Sequence, residues 1–272
     1  MALHVHVGVP APDDAIRVLN GLCRNAPVLL ALSGNSPFWH GCDSGFASSR
    51  TVIFQAFPRT GLPRHFDSYG DYVEAVDALI ASGALPDPSF LWWDVRPQPA
   101  LGTVDVRVMD AQSTVVEVAP LVALVQSLAR LELEGHPSPV IPGAEVLAEN
   151  RFLAARDGMD ARLIDPAARS LVPVREMLDA LLAECRPHAL ALGCADALDR
   201  VPWLAAATGA DRQRVSRRAR KPRTSRRQAR PTVRAGAARP RHTAHHMNTH
   251  DPPTERSGIC VAGSHTRAPR FS

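Results

Sequence analysis

The sequence predicts an α+β protein, an antiparallel sheet with helices on one face. Three stretches carry the prediction. Residues 91–110 (LWWDVRPQPALGTVDVRVMD) read as two alternating strands joined by a short Pro/Gly connection, and residues 3–9 (LHVHVGV) alternate in the same way. Residues 117–133 show instead the apolar spacing of a helix, with Val118, Leu121, Val122, Val125 and Leu128 on one face.

Alternation sorts the strand residues onto two faces. Leu91, Trp93 and Val95 share one face, and Trp92, Asp94 and Arg96 the other. Val104, Val106 and Val108 face one way, and Thr103, Asp105, Arg107 and Met109 the other. Acids and arginines in register on one face form either the floor of a cleft that handles a metal and an anion, or a wet hairpin face with ordinary salt bridges. His4 and His6 also share a face. Two histidines at i, i+2 on a strand either hold one metal or phosphate, or are partly exposed strand residues. Recurrence of the same polar-face pattern in the central pair favours the first reading.

The remaining elements follow in order. Residues 10–31 have helical period, with Asp13 and Asp14 in the first turn and a break or kink expected at Pro27. Residues 33–50 (SGNSPFWHGCDSGFASSR) are polar and Gly/Pro-punctuated yet hold three aromatics. Such a loop is either anchored on the surface or lines a site, and Asn35, Asp43, Ser49 and Arg50 are its candidate ligand contacts. Residues 51–57 are expected as a short strand, and residues 61–69 as a loop with Arg64 and His65 as outer ligands. Residues 68–82, 143–157, 172–185 and 188–198 are expected as helices, the second carrying Asn150 and Arg156 as candidate site residues.

Charge divides the chain. Residues 1–214 hold 17 Arg, no Lys and 25 acids, a formal −8, whereas residues 215–272 hold 13 Arg, one Lys and 2 acids, a formal +12. Lacking lysine before Lys221, the first part excludes a P-loop, a pyridoxal Schiff base and a protein-kinase strand lysine. Phosphates there would be held by arginines and a metal ion. Five dispersed cysteines without CxxC spacing fit a reducing cytoplasm, and no stretch approaches the 18 apolar residues of a membrane span. Two domains are expected: a folded 1–214, and a disordered 215–272 too poor in apolar residues to offset its chain entropy. That basic segment is a nucleic-acid-binding tail, a solvated appendage, or an out-of-frame reading of GC-rich DNA.

Taken together, HVHVG (4–8), NSPFWHGCDSGFASSR (35–50), PRTGLP (58–63), WWDVRPQPALGTVDVRV (92–108) and AENRFLAARDGMDA (148–161) resemble the C-terminal portion of bacterial carboxylate–amine ligases of the glutamate–cysteine ligase type 2 group. The resemblance runs to about residue 214. It implies a glutamine-synthetase-like catalytic fold and an ATP- and Mg2+-dependent reaction, in which a glutamate γ-carboxylate is phosphorylated and then attacked by the amine of cysteine or a related amine. It implies metal ligation by His6, Asp105 and, less directly, His4. Arg107 and Arg96 would be catalytic, and His6, Asn35, Asp43, Arg50, Asn150 and Arg156 would bind substrate or nucleotide. Asp105 stands where the family usually shows Glu in a GTVEVR motif. The family's acidic GxExE-type strand has no counterpart ahead of HVHVG, which implies a fragment of impaired activity. A homo-oligomer stays open. The alternative is a basic-tailed nucleic-acid-binding protein on a degenerate ligase scaffold.

Overall fold

The structure, a computed structural model, describes residues 1–135 and 141–220. In chain order its elements are β1 (Val5–Gly8), α1 (Pro12–Ser33), β2 (Phe38–Trp39), β3 (Cys42–Asp43), α2 (Ser49–Phe54), β4 (Thr60–Gly61) and α3 (Tyr69–Ala81). Next come β5 (Trp92–Trp93), β6 (Val95–Gln98), β7 (Thr103–Val106), α4 (Val115–Glu134), α5 (Ala144–Asp157), β8 (Arg162–Asp165) and β9 (Ser170–Pro173). The last are α6 (Val174–Ala191), α7 (Ala195–Leu198), α8 (Val201–Ala206) and α9 (Gly209–Arg220). The mixture is α+β, as expected.

The central sheet has the order β1-β7-β6, with both pairs antiparallel. Its register places His6 opposite Asp105 on one side and Arg96 opposite Asp105 on the other. The period of two then does the sorting. Val5, Val95, Val104 and Val106 are buried on the inner face, which α1 and α4 cover. The histidines, Asp105 and Arg96 remain for the other face.

Helix α1 begins with Pro12 in its first turn and carries Asp13 and Asp14 where the macrodipole favours acids. The expected break at Pro27 does not occur. The helix continues to Ser33, because Ala26, Pro27 and residues 28–33 are all buried and tertiary packing outweighs the lost backbone hydrogen bond. By length and composition α1 could cross a membrane, which corrects the expectation that no stretch approaches a span. Most of its apolar surface is spent on the core.

Residues 51–57 are a second correction. The β-branched run Thr51-Val52-Ile53 suggested a strand, but the Ser48 side chain accepts from the Thr51 N–H and caps helix α2 instead. The strand expected over residues 91–96 is split at Asp94. β5 pairs in parallel with β4, whereas β6 joins the central sheet. The β8–β9 hairpin takes residues 170–173, so the helix expected from 172 starts at Val174, and it continues past Pro187. At the far end α9 makes residues 215–220 helical, although composition placed them in the disordered tail. The expectations for residues 221–272 lie outside the described residues.

Candidate metal and anion site

The site forms on the polar face of the central sheet. Asp105, in β7, is 1% exposed. Its Oδ2 faces Nε of Arg96 at 3.3 Å and of Arg107 at 3.8 Å. Its Oδ1 lies 3.3 Å from His4 Nδ1 and 3.5 Å from His6 Nε2, yet has no hydrogen-bond partner. A buried carboxylate oxygen without a partner is costly unless something else occupies it. One donor atom from each of His4, His6 and Asp105 lies within 4.8 Å of the other two.

Each imidazole is prepared for ligation. His6 Nδ1 pairs with Thr103 Oγ1 at 3.1 Å, and when Nδ1 donates, Nε2 keeps its lone pair for the cluster. Burial pushes the His4 imidazole below its ordinary 6.5, with Asp105 pulling it back up and Arg107 and Arg96 adding to the depression. A neutral His4 is the form that binds metal.

Beside the cluster lies a cavity of about 330 Å³ walled by His4, Arg50, Phe54, Trp92, Asp94 and Arg107. Burial lowers the Arg107 guanidinium below its usual range, with Arg96 adding to it, and Arg107 Nη1 is buried without an acceptor. Arg50 reaches the cavity while its Nε donates to Asp110 Oδ1 at 2.7 Å and its Nη2 to the Val108 carbonyl at 2.6 Å. The arrangement combines a divalent-cation triad with an anion-accepting guanidinium. The chemistry open to it is charge neutralisation and orientation of anionic substrates.

The structure thus brings together His4, His6, Asp105, Arg107 and Arg50. Arg96 is placed there too, but as a support. Besides Asp105 it donates through Nη1 to the Ser89 and Leu91 carbonyls at 2.8 Å each. The other four, Asn35, Asp43, Asn150 and Arg156, do not line this cavity and make contacts within the protein. Asn35 holds the Ala111 carbonyl at 2.8 Å and accepts from Gln213 at 2.7 Å. Asp43 pairs with Arg214 at 3.1 Å, and that hydrogen bond holds its carboxyl below the usual range. Asn150 clamps both backbone groups of Ile164, at 2.9 and 2.7 Å. Arg156 pairs with Asp157 at 2.8 Å and lies over the Phe152 ring. Arg64 and His65 likewise turn to local acids, Asp71 and Asp67.

Sequence reasoning missed two buried acids. Asp94 is paired with Arg151 of α5. Asp110 gathers the Asn35 N–H, the Ser36 and Ser48 hydroxyls and Arg50. Alternation had put Asp94 on the polar face, but its partner lies 57 residues away, beyond the reach of any local pattern. A larger cavity of about 730 Å³ lies between α1, α4, α5 and α6 around Arg24, Glu132 and Glu184. Of the predicted site residues, only Asn150 lines it.

A protein of Rubrobacter xylanophilus, provisionally named glutamate–cysteine ligase 2-1, is 44% identical over 196 residues, covering 72% of this chain and 52% of the relative. Proteins with the provisional name glutamate–cysteine ligase 2 from Gloeobacter violaceus and Thermobifida fusca are 41% and 43% identical, covering 78% and 73% of this chain and 58% and 51% of their own lengths. The chain therefore spans little more than half the length of these curated relatives. The sequence profile of glutamate-cysteine ligase family 2 matches residues 1–240, further than the expected boundary at 214. With that match extending over most of its length, the chain belongs to glutamate-cysteine ligase family 2.

Proposed function

We propose that the chain carries one wall of the active site of an ATP-dependent carboxylate–amine ligase. In this reading it joins the γ-carboxylate of glutamate to the amine of cysteine or a related amine, within a glutamine-synthetase-like catalytic fold. The observation that carries the reading is the unpartnered, buried Asp105 Oδ1 between His4 and His6, next to the unpartnered Nη1 of Arg107.

The donor set suits a divalent cation. His4, His6 and Asp105 would hold it, and its positive charge would offset the phosphates of ATP. One carboxylate supplemented by substrate phosphates is a usual arrangement for Mg2+, while the two imidazoles shift preference towards a softer ion such as Mn2+. The protein's own groups do the rest. Arg107 and Arg50 present guanidinium charge to anionic substrate, and Arg96 fixes Asp105 so that Oδ1 faces the imidazoles. Trp92 and Phe54 wall the cavity with apolar surface, which strengthens the electrostatics inside it. The reading needs no protein nucleophile, because the amine itself attacks the activated carboxylate. A reducing cytoplasm is the proposed setting, matching the four free cysteines among the described residues.

The test is ADP release from the full chain with Mg2+-ATP. Release that requires both glutamate and an amine, and that falls at least a hundredfold in Arg107→Ala, supports the proposal. ATP consumption indifferent to glutamate would refute it.

A further inference from the structure

We infer that Asp94 is the carboxylate that recognises the α-ammonium group of the acid substrate, working opposite Arg107. This rests on the ligase reading and deepens it by assigning one end of the cavity. Both residues line the same cavity of about 330 Å³.

Asp94 is 3% exposed and held from three directions. Arg151, itself buried, clamps Oδ2 from α5 and donates to Gln55 Oε1 at 3.2 Å. The Asp94 N–H donates to the Gly61 carbonyl at 2.8 Å. Its carbonyl accepts from the Arg107 N–H at 2.7 Å, which sets the two residues side by side. No hydrogen bond among the described residues uses Oδ1. A carboxylate built this rigidly, with one oxygen committed and one free, is preorganised for a donor arriving from the cavity. Arg107 supplies the complement, a buried Nη1 with no acceptor. A ligand with an anionic and a cationic group close together satisfies both at once. The head group of an α-amino acid, with carboxylate and ammonium on one carbon, is such a ligand.

Two amino acids take part in the proposed reaction, and their chemistry decides between them. The attacking amine must be unprotonated, with its lone pair free. An ammonium that stays bonded to Asp94 throughout the reaction has no free lone pair, so a group held there to the end belongs to the acid substrate, whose own amine must stay out of the reaction. His4 lines the cavity and belongs to the metal triad, so a molecule seated on Asp94 and Arg107 shares its cleft with one member of that triad.

Calorimetric titration of the full chain with L-glutamate, glutarate and L-cysteine tests this, because glutarate keeps both carboxylates and lacks only the ammonium. The expected result is glutamate binding at least about tenfold tighter than glutarate, with Asp94→Asn abolishing that preference while leaving glutarate affinity in place. Equal affinities for glutamate and glutarate in the wild-type chain overturn the inference. So do failure of glutamate to bind, cysteine occupying the site in its place, and an Asp94→Asn chain that loses glutarate as much as glutamate. The wild-type comparison needs no variant, so it stands even if Asp94→Asn fails to fold. ADP release measured alongside separates the two readings. Preference for glutamate with ADP release indifferent to glutamate sinks the ligase reading, and glutamate-dependent ADP release with equal binding sinks the role of Asp94.

Discussion

Asp105 divides its two oxygens between two tasks. Oδ2 is held by arginines, and Oδ1 is left to the imidazoles. Removing the charge should therefore act on the cation before anything else. Asp105→Asn should weaken Mn2+ binding by about tenfold or more, and the wild-type chain should bind Mn2+ more tightly than Mg2+. Titration monitored by electron paramagnetic resonance, with Mg2+ as competitor, checks both statements. Equal affinity for the two ions would remove the imidazoles from the ligand set. The polar face of this site was legible in the sequence, since alternation is local and His4, His6, Asp105, Arg96 and Arg107 all obey it. Asn35, Asp43, Asn150 and Arg156 could not be placed in the same way, because polarity does not say what a side chain binds. Each turned out to satisfy a backbone group, a neighbouring charge or a distant helix.

At the scale of elements, capping decided what propensity could not. Residues 51–57 look like a strand by composition, yet the acceptor on Ser48 caps α2, which takes residues 51–54. Helix α3 is organised in the same way, and among the described residues its cap hydroxyl has no other partner. Ser68 Oγ accepts from the Asp71 N–H at 3.1 Å, in a segment the sequence already marked as an amphipathic helix. Ser68→Ala should cost about 1 kcal/mol of stability, measured by urea unfolding. A loss near zero would show that Asp71, which also accepts from Arg64 and the Asp67 N–H, organises this end alone. The split of residues 91–98 into β5 and β6 was illegible for a different reason. It depends on β4 pairing with β5, and β4 is only two residues long.

Across the whole molecule, carboxylates pull stability in opposite directions with pH. Hydrogen bonds from Arg64 and the Asp67 N–H hold the Asp71 carboxyl at about 2, and Asp43 and Asp87 also sit below the usual range. Their contribution is present above the ordinary carboxylate value and is lost as pH falls through the folded-state values. All three are solvent-screened, which keeps that contribution small. Glu132 has the reverse sign, because burial raises its carboxyl even though Arg24 pulls it down. The stability it contributes is complete below its ordinary value and is lost as pH rises through the raised one. Glu132→Gln should therefore melt higher than wild type at pH 7 and match it near pH 4, in thermal scans followed by circular dichroism. A variant that melts lower at pH 7 would mean that the Arg24 pair outweighs the burial.

Helix α9 ties the end of the described chain to its beginning. Gln213 meets Asn35, Arg214 meets Asp43, and Arg212 meets Glu117 at the start of α4. These partners are separated by up to 178 residues. Contacts so far apart in sequence form late, since the intervening chain must first be brought to order. On a ribosome Asn35 and Asp43 would lack their α9 partners until residue 214 had been made. Any ribosome that stalls before that point would hold a chain whose loop after α1 has Asp110 to anchor it but no clasp from α9.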